Sequence, residues 1–255
     1  MALLARPEAH MTTWFISDLH LDPARPTTSA LLLNFLQHIQ GQAEALYILG
    51  DLFEYWIGDD ILELPLGQVF LPLTQQLKQV AESGVQVYFQ HGNRDFVIGQ
   101  GFAQRCGLSL LPESQIIDLY GTPTLIMHGD TLCSDDLAYQ QARLQFRNPA
   151  WQAKALSLSI PERLQLAQSI RLQSQMQTAE KSELIMDVNQ QTVEQVMRDA
   201  GVWQLIHGHT HRPAVHNFDL TGRTAKRIVL GDWYQSGSFL KVTPQAITLS
   251  ANYLN

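Results

Sequence analysis

Leu46-Tyr47-Ile48-Leu49-Gly50-Asp51 is a short apolar stretch that ends in a glycine and then a carboxylate. Its length and composition predict a buried strand that presents Asp51 at its C-terminal end, where open α/β sheets place their ligands. The arrangement recurs four times. The other apolar runs lead into Asp18-Leu19-His20, His91-Gly92-Asn93-Arg94-Asp95, His128-Gly129-Asp130 and His207-Gly208-His209-Thr210-His211. We expect these five strand ends to converge on one site, with Asp51 at its centre.

The bulk composition is that of an ordinary globular protein of 255 residues, 45% of them hydrophobic and 16% charged. This length allows one large α/β domain, or one domain that carries an insertion. The net charge of −7 argues against nucleic acid as the main partner, because nucleic-acid-binding proteins generally present an excess of basic residues. Nothing in the sequence indicates an obligate protein partner.

The sequence carries no recognisable signal for export or for crossing a membrane. No apolar run approaches the ~20 residues needed to span a bilayer, and the N-terminus is too weakly apolar for a signal peptide. Met11 offers an alternative start, so we predict that residues 1–10 form a disordered extension. Cys106 and Cys133 do not suggest a disulfide framework and fit a reducing cytoplasm.

Strand and helix patterns alternate at both ends of the chain but not in its middle. Strands are predicted at 13–17 and 85–89, with helices at 29–40, capped by Ser29, and at about 68–82, while 110–128 contains two or three strands. Between 135 and 200 the pattern predicts helices, broken at Asn148-Pro149 and Ile160-Pro161. Strands return at 228–232 and 239–242. We therefore predict an α/β core of residues 11–134 and 201–255, interrupted by a helical insertion at 135–200.

The polar residues at the strand ends have the chemistry of metal ligands. They are Asp18, His20, Asp51, Asn93, His128, His209 and His211, which supply carboxylates, imidazoles and one amide but no thiolate. This mixture suits Mn²⁺, Fe²⁺ or Zn²⁺. Seven ligands are too many for one ion and sufficient for two if Asp51 bridges them. Two ions about 3.5–4 Å apart can polarise a phosphoryl oxygen and lower the pKa of a trapped water to about 7.

As a set and in this order, the five motifs resemble the calcineurin-like metallophosphoesterases. The resemblance implies an α/β fold in which a β-sandwich of two mixed sheets is flanked by helices. It implies one metal ion held by Asp18, His20, Asp51 and His211, and a second held by Asp51, Asn93, His128 and His209. The catalytic residues that it implies are Asp51, Asn93, Arg94 and His128, with Arg94 stabilising phosphoryl charge. His207 is not a ligand in this pattern and is predicted to be structural.

Longer motifs resemble one branch of that family, the pyrophosphohydrolases that act on a UDP-linked diacylglucosamine lipid in lipid A biosynthesis. They are residues 48–54, 56–60, 91–96, 125–133, 185–190 and 206–216. The resemblance implies that a hydroxide activated by two divalent ions cleaves the pyrophosphate to UMP and 2,3-diacylglucosamine 1-phosphate. The ion expected in this branch is Mn²⁺. It implies a cytoplasmic enzyme held peripherally at the inner membrane surface. The implied substrate contacts are Asn93, Arg94, Asp136, Ser174, Thr178, Lys181 and His209, with Thr178 standing where this branch has Asn.

The composition of the insertion supports a lipid substrate on separate grounds. Between Leu137 and Lys181 the basic residues exceed the acidic ones by four, in a chain whose total charge is −7. The same segment is rich in aliphatic residues, of which Leu164 and Leu172 are expected to line an acyl-chain groove. Basic and aliphatic side chains together suit a groove of this kind or an anionic membrane surface. On residue pattern alone, helices that pack their own core behind a solvated basic face are slightly favoured.

Two other functions remain open at the level of sequence. A phosphodiesterase or phosphatase for soluble nucleotides would need the same metal ions, with a small polar cap in place of a long aliphatic one. A scaffold that kept the fold and lost the chemistry should lack several ligands, whereas all seven are present.

Overall fold

A computed structural model describes residues 11–179 and 187–252, within which two β-sheets pack face to face. The strands are β1 (Thr13–Ile16), β2 (Ala45–Leu49), β3 (Gln86–Gln90), β4 (Ser109–Leu110), β5 (Ser114–Leu119), β6 (Thr122–Met127), β7 (Gln204–His207), β8 (Ala214–Leu220), β9 (Arg223–Val229), β10 (Phe239–Val242) and β11 (Ile247–Ser250). The first sheet has the order β11-β10-β1-β2-β3-β4, and the second has the order β5-β6-β7-β9-β8. Each sheet contains parallel and antiparallel pairs, so the predicted sandwich of two mixed sheets is confirmed.

The side chains of β1 show how the strands separate the layers. Trp14 and Ile16 point into the core beneath the helices, whereas Phe15 points toward the second sheet. This is the two-residue alternation of a strand that is covered on both faces. Phe15 belongs to the apolar layer between the sheets, together with Leu49 of the same sheet and Ile126 and Ile206 of the other.

Helices cover the outer faces of both sheets. The helices of the described residues are α1 (Pro26–Ile39), α2 (Leu71–Glu82), α3 (Gln100–Cys106), α4 (Leu137–Phe146), α5 (Pro149–Leu156), α6 (Ile160–Ala179) and α7 (Gln190–Ala200). Helices α1 to α3 lie on the first sheet and α7 lies on the second. Helix α1 begins at Pro26, and the expectation that Ser29 caps it is wrong. Proline suits the first turn of a helix because its φ is already helical and it has no amide hydrogen to leave unpaired. Helix α2 begins three residues later than predicted, after a 3₁₀ segment at Pro65–Phe70.

The segment predicted as an insertion is helical but does not pack as one unit. Asn148 caps α5 by accepting hydrogen bonds from the amides of Ala150 and Trp151, at 2.8 and 3.3 Å. Helix α7 buries Val193 and Met197 against the second sheet, together with side chains of β6 and β7. The helices that stand beside the strand ends are therefore α4, α5 and α6, whereas α7 is a layer of the sandwich. The division into core and insertion stays a prediction.

Three expectations from sequence concern the whole chain. Cys106 and Cys133 are both buried and are not joined in a disulfide. Across residues 11–179 and 187–252, no helix combines the length and the apolar character required to cross a membrane. The predicted extension at residues 1–10 lies outside the described residues.

Candidate metal centre

The C-terminal ends of β1, β2, β3, β6 and β7 meet at one edge of the sandwich. The predicted ligands follow these strands directly: Asp18 and His20 after β1, Asp51 after β2, Asn93 after β3, His128 after β6, and His209 and His211 after β7. Strands β1 to β3 are parallel, as are β6 and β7, so their C-terminal ends point the same way within each sheet. The structure brings all seven side chains together in two neighbouring clusters, with Asp51 between them. Asp18 belongs to the first cluster, and one of its oxygens also lies within 4.8 Å of ligand atoms of Asp51 and His128.

Asp18, His20 and His211 form the first cluster. The Nε2 atom of His211 lies 3.3 Å from Asp18 Oδ1 and 3.2 Å from His20 Nε2. The other carboxylate oxygen, Asp18 Oδ2, accepts hydrogen bonds from the hydroxyl of Ser17 and the amide of His209, at 2.6 and 2.9 Å. These two bonds hold the carboxylate so that Oδ1 faces the histidines.

Asn93, His128 and His209 form the second cluster. Asn93 Oδ1 lies 3.0 Å from both His128 Nε2 and His209 Nδ1, and the two nitrogens are 3.2 Å apart. His128 Nδ1 donates a hydrogen bond to the carbonyl of Leu49 at 2.8 Å, since that oxygen can only accept. The proton on Nδ1 leaves the lone pair of Nε2 directed into the cluster, which is how second partners orient histidine ligands.

Asp51 lies between the clusters and faces both with a different oxygen. Its Oδ2 is 3.7 Å from His20 Nε2, and its Oδ1 is 3.8 Å from His128 Nε2. The amide of Arg94 donates to Oδ1 at 2.9 Å and fixes the rotation of the carboxylate. This position between the clusters is consistent with the bridging role predicted for Asp51, which stays a prediction.

The arrangement of the donor atoms in the two clusters suits a pair of bound cations. Asp18 Oδ1 is buried and accepts no hydrogen bond from the described residues, and two imidazole nitrogens face each other at 3.2 Å in each cluster. Buried polar groups without partners are costly unless a compensating charge lies among them. Carboxylate, imidazole and amide oxygen donors converge on two neighbouring spaces, and the set suits borderline divalent ions.

Burial sets the protonation of the central groups. It lowers the pKa of His20 well below its ordinary value, and burial together with the adjacent His128 lowers the pKa of His209 to about 4. Both imidazoles are therefore neutral at pH 7, as metal ligands must be. Burial also raises the pKa of Asp51 to about 7. A cation beside this carboxylate would favour its charged form and oppose that increase.

The backbone at the strand ends is strained at the same residues. Seven non-glycine residues in the described part of the chain have a positive φ, and five are predicted ligands: Asp18 (56°), His20 (49°), Asp51 (52°), His209 (69°) and His211 (55°). Such conformations are uncommon for residues with a side chain and cost roughly 1–3 kcal/mol each, and they cluster at functional sites. The left-handed turn redirects each side chain out of its strand and into the centre.

Two glycines allow these turns to approach each other. A Cβ atom on Gly92 would lie 2.1 Å from Asp51 Oδ1, and one on Gly208 would lie 2.3 Å from Asp18 Oδ2. Neither neighbour can move without displacing a predicted ligand. The glycines of the Gly-Asn and Gly-His motifs are therefore required by contact with the two central carboxylates.

Arg94 connects the metal centre to an apolar cleft. Its carbonyl accepts a hydrogen bond from the amide of Trp56 at 3.2 Å, and its Nε is buried without a hydrogen-bond partner among the described residues. The side chain lines a cleft of about 570 Å³ that runs between the 93–97 loop and helices α5 and α6. We call it the α6 cleft.

The walls of the α6 cleft are aromatic and aliphatic. They include Trp56, Phe96, Trp151, Leu166 and Ile170. The two residues expected from sequence to line a groove do not do so. Leu164 packs against the core of the first sheet, and Leu172 is 60% exposed.

The predicted substrate contacts lie in different surroundings. Asn93, Arg94 and His209 are at the metal centre, and Ser174 lines a second, more polar cleft of about 1060 Å³ that adjoins the first at Asn93 and Arg94. Asp136 caps α4 by accepting a hydrogen bond from the amide of Tyr139 at 3.0 Å. The side chain of Thr178 and all of Lys181 lie outside the described residues. Contacts of these residues with a substrate stay predictions.

The arginines of α4 and α6 point toward the sandwich. Arg143 pairs with Asp130 at 2.8 Å, Arg163 pairs with Asp60 at 2.5 Å, Arg171 pairs with Glu54, and Arg147 donates to the carbonyls of His91 and Gly92 at 3.2 and 3.0 Å. A solvated or membrane-facing basic surface is therefore wrong for these four residues. Each side chain instead fastens a helix to a loop of the sandwich, and three of those loops adjoin a predicted ligand.

Three carboxylates behind the ligands were given no role from sequence. Asp95 accepts hydrogen bonds from the amides of Leu52 and Gly92, at 2.7 and 2.8 Å, and so joins the loops after β2 and β3. Glu54 Oε2 lies 3.8 Å from His20 Nδ1, and Asp232 Oδ2 lies 3.5 Å from His211 Nδ1. Glu54 and Asp95 belong to the motifs quoted above, but only the folded contacts give them roles.

The fold and the paired ligand clusters define a class of protein, the calcineurin-like phosphoesterases. The model of that family matches residues 11–213, so the chain belongs to it, as its sequence predicts. More particularly, the chain is 48% identical over 246 residues to the UDP-2,3-diacylglucosamine hydrolase of Xanthomonas campestris pv. campestris, which covers 94% of this chain and 98% of that protein. It is 49% identical over 239 residues to the protein of the same name from Serratia proteamaculans, with 94% and 98% covered. The corresponding protein of Stenotrophomonas maltophilia is also 49% identical, with 91% and 95% covered.

Proposed function

We propose that this chain hydrolyses the pyrophosphate bond of UDP-2,3-diacylglucosamine in lipid A biosynthesis, giving UMP and 2,3-diacylglucosamine 1-phosphate. The observation that carries the proposal is the position of two clusters of ligands beside an apolar cleft, with Arg94 at the point where they meet. The names of relatives that are 48–49% identical over nearly the whole chain support the same substrate. A site for a soluble nucleotide would not need a cleft with apolar walls.

Asp18, His20, Asp51 and His211 would hold one divalent ion, and Asp51, Asn93, His128 and His209 would hold the other. A pair of such ions supplies Lewis-acid polarisation of a phosphoryl group and a nucleophile from water near neutral pH. The donor set contains no thiolate and suits Mn²⁺, which we propose as the resident ion.

The side chains of this protein prepare the centre in two ways. Hydrogen bonds from Ser17 and from the amides of His209 and Arg94 fix the two central carboxylates before any substrate arrives. Arg94 then places a positive charge between the clusters and the α6 cleft, where a phosphoryl group would lie. Preorganised charge of this kind is effective because it does not have to reorient as negative charge develops.

We propose that the α6 cleft receives an acyl chain and that α4 to α6 act as the lipid-binding part of the molecule. Trp56, Trp151 and Leu166 give the cleft apolar walls, and each buried methylene of a chain is worth roughly 0.8 kcal/mol. In this arrangement Asp136, Ser174, Thr178 and Lys181 are the candidates for contacting the sugar and phosphate groups. Within the insertion predicted at residues 135–200, α4 to α6 would then be the part that adapts the core to its lipid.

We also propose that the protein works at the cytoplasmic face of the inner membrane, held there peripherally. The supporting feature is a set of aliphatic side chains that the helices leave in solvent, with Leu137 and Leu144 on one face of α4 at 71% and 70% exposed. Replacing both leucines by Asp should reduce sedimentation with anionic phospholipid vesicles and leave turnover in detergent micelles within about twofold. Equal vesicle binding by the double variant would place any membrane contact elsewhere.

The experiment that tests the function compares two substrates. Purified protein with Mn²⁺ is incubated with UDP-2,3-diacylglucosamine or with UDP-N-acetylglucosamine, which lacks the long chains, and the products are identified by mass spectrometry. We expect UMP and 2,3-diacylglucosamine 1-phosphate from the lipid, and little UMP from the soluble sugar nucleotide. Comparable turnover of both substrates would favour a phosphodiesterase for soluble nucleotides.

A further inference from the structure

Glu54 is a buried carboxylate that lies at the junction of three parts of the molecule. It is 3% exposed, and it follows β2 in the loop that also carries Asp51. Its Oε2 atom accepts a hydrogen bond from Arg25 at 2.7 Å, and its Oε1 atom pairs with Arg171 of helix α6. The proposed hydrolysis assigns no role to this residue.

Glu54 lies directly behind the ligand His20. The two loops run side by side, since the amide of Glu54 donates to the carbonyl of Leu21 at 3.0 Å. His20 directs Nε2 toward the first cluster and Nδ1 toward Glu54 Oε2, at 3.8 Å. That Nδ1 is buried and makes no hydrogen bond to any described residue, and the Glu54 carboxylate at 3.8 Å is a charged acceptor that faces it. A proton kept on Nδ1 leaves Nε2 free to bind a cation.

Arg25 connects Glu54 to the main chain of the same histidine. One of its nitrogens, Nη2, donates both to the carbonyl of His20 and to Glu54 Oε2, each at 2.7 Å. Its guanidinium also lies 4.7 Å from the ring centre of Tyr234, which stacks on the His20 imidazole at 5.3 Å. The main chain and the ring of His20 are therefore held by groups that converge on Glu54.

The other oxygen of Glu54 connects the surroundings of His20 to the α6 cleft. Arg171, its partner there, lines the cleft with Ile170 and Leu166 of the same helix, and Glu54 itself forms part of the wall. A carboxylate that is shared in this way joins a metal ligand on one side to a substrate-facing helix on the other. The connection is a direct chain of contacts from His20 through Glu54 to Arg171.

We propose that Glu54 is a positioning residue that fixes the tautomer and orientation of His20 and makes the affinity of the first metal cluster depend on helix α6 through Arg171. The inference rests on the two-ion centre of the proposed function, and it concerns metal binding rather than the identity of the lipid. Outer partners of ligating histidines typically change metal affinity by about 10–100-fold when they are removed.

The main test is Glu54→Gln, which keeps the size of the side chain and removes its charge. Metal-free protein is titrated with Mn²⁺, and free Mn²⁺ is measured by electron paramagnetic resonance in the absence of any lipid. We expect one of the two binding constants to weaken by about 10–100-fold and the other to stay within about threefold. The matched control is Glu63→Gln, which removes a glutamate that pairs with Arg105 on the surface, and it should bind both ions as the natural chain does.

A spectroscopic readout separates positioning from a merely structural role. Two-bond ¹H–¹⁵N correlation spectra of the histidine rings should show His20 with its proton on Nδ1 in the natural metal-free chain. In Glu54→Gln we expect a mixture of the two tautomers, while His128, which donates to the Leu49 carbonyl, keeps its pattern. Unchanged binding constants together with an unchanged His20 tautomer would overturn the proposal.

Arg171→Gln keeps the proposal testable if Glu54→Gln proves too unstable to study. Arg171 is 32% exposed, so its replacement should disturb the fold little. Glu54 keeps its ion pair with Arg25 in this variant. We expect this variant to weaken the same binding step by about 3–10-fold, and to add no further loss in the Glu54→Gln background, since contacting residues are not additive. If Arg171→Gln binds Mn²⁺ as tightly as the natural chain does, the proposed dependence of metal affinity on helix α6 is wrong. Because these assays contain no lipid, their outcome is independent of whether UDP-2,3-diacylglucosamine is the substrate.

Discussion

The strand ends and the α4–α6 segment both carry charged residues next to the reaction site, yet they place them by different means. At the strand ends a short local sequence fixes each side chain: an apolar strand, a glycine, and a ligand in a left-handed conformation, as at Gly50-Asp51. In α4 to α6 the partners are distant in sequence, as with Arg163 and Asp60, 103 positions apart. The first region can therefore be interpreted from sequence alone, whereas the second depends on the completed fold.

The largest effect should come from Asp51→Ala, which removes a side chain whose two oxygens face different clusters. We expect turnover to fall by at least about 10³-fold, because the ions supply several kcal/mol of charge stabilisation. Metal analysis after gel filtration should show that both ions lose occupancy together. Asp199→Ala, a change at an exposed acid on α7, is the matched control. Two tightly held ions in Asp51→Ala would contradict the bridging role.

Arg94→Ala should separate catalysis from metal binding. The backbone of Arg94 holds Asp51, and this hydrogen bond survives the substitution, so both ions should remain bound. Loss of the guanidinium should lower kcat by about 10²–10³-fold, as for other groups that stabilise developing charge. Steady-state kinetics and metal content are measured on the same preparation. A variant with a normal rate and depleted metal would make Arg94 a support for the ligands instead.

Ile170→Asp tests the helical region with a control on the same helix. Ile170 lines the α6 cleft, whereas Leu172 is exposed two positions later. A charge at 170 should raise KM for the lipid substrate in detergent micelles by about 10–100-fold, the equivalent of losing one buried apolar contact of 1.5–3 kcal/mol. Leu172→Asp should stay within about twofold. Hydrolysis of a small chromogenic phosphodiester should be unaffected in both variants, and a loss there would indicate an unfolded cleft.

His207 offers a smaller effect, on stability rather than rate. Burial, with Arg227 beside it, lowers the pKa of His207 to about 3, and its Nε2 accepts a hydrogen bond from Arg227 at 3.1 Å. The folded chain therefore keeps His207 neutral while the unfolded chain protonates it below its ordinary value of about 6.5. The stability from this group is present above pH 6.5 and is lost progressively as the pH falls toward 3.

His207→Gln should remove that pH dependence. Between pH 6.5 and 4 the unfolding free energy of the metal-free natural chain should fall more steeply than that of the variant, by up to about 1.4 kcal/mol per pH unit. Urea unfolding at several pH values in the presence of a chelator gives both slopes. Parallel slopes would mean that His207 titrates alike in the folded and unfolded chains.

Much of the fold follows from the sequence because the buried strands are apolar and end abruptly. Strands β8 and β11 were not predicted, since they lie at sheet edges where most side chains are exposed and the apolar pattern is weak. The start of α1 was missed because Pro26 begins the helix without a side-chain cap. Edge strands and uncapped helix ends leave little local signal.

The candidate site divides in the same way. The seven ligands stand in local motifs, but the roles of Glu54 and Asp95 arise from contacts made by their side chains across loops. The excess of basic residues in the insertion suggested a solvated or membrane-facing surface, and the structure turns four of the arginines inward instead. Sequence gives the charge of a side chain, and only packing gives its direction.

The account depends most directly on two ions acting together at the strand ends. The deciding measurement titrates metal-free protein with Mn²⁺ and records bound ions per chain and turnover of UDP-2,3-diacylglucosamine in the same samples. We predict that turnover stays near the background while one ion is bound and rises as the second binds, reaching its maximum at two ions per chain. Full turnover at one ion per chain, or no turnover with two ions bound, would contradict it.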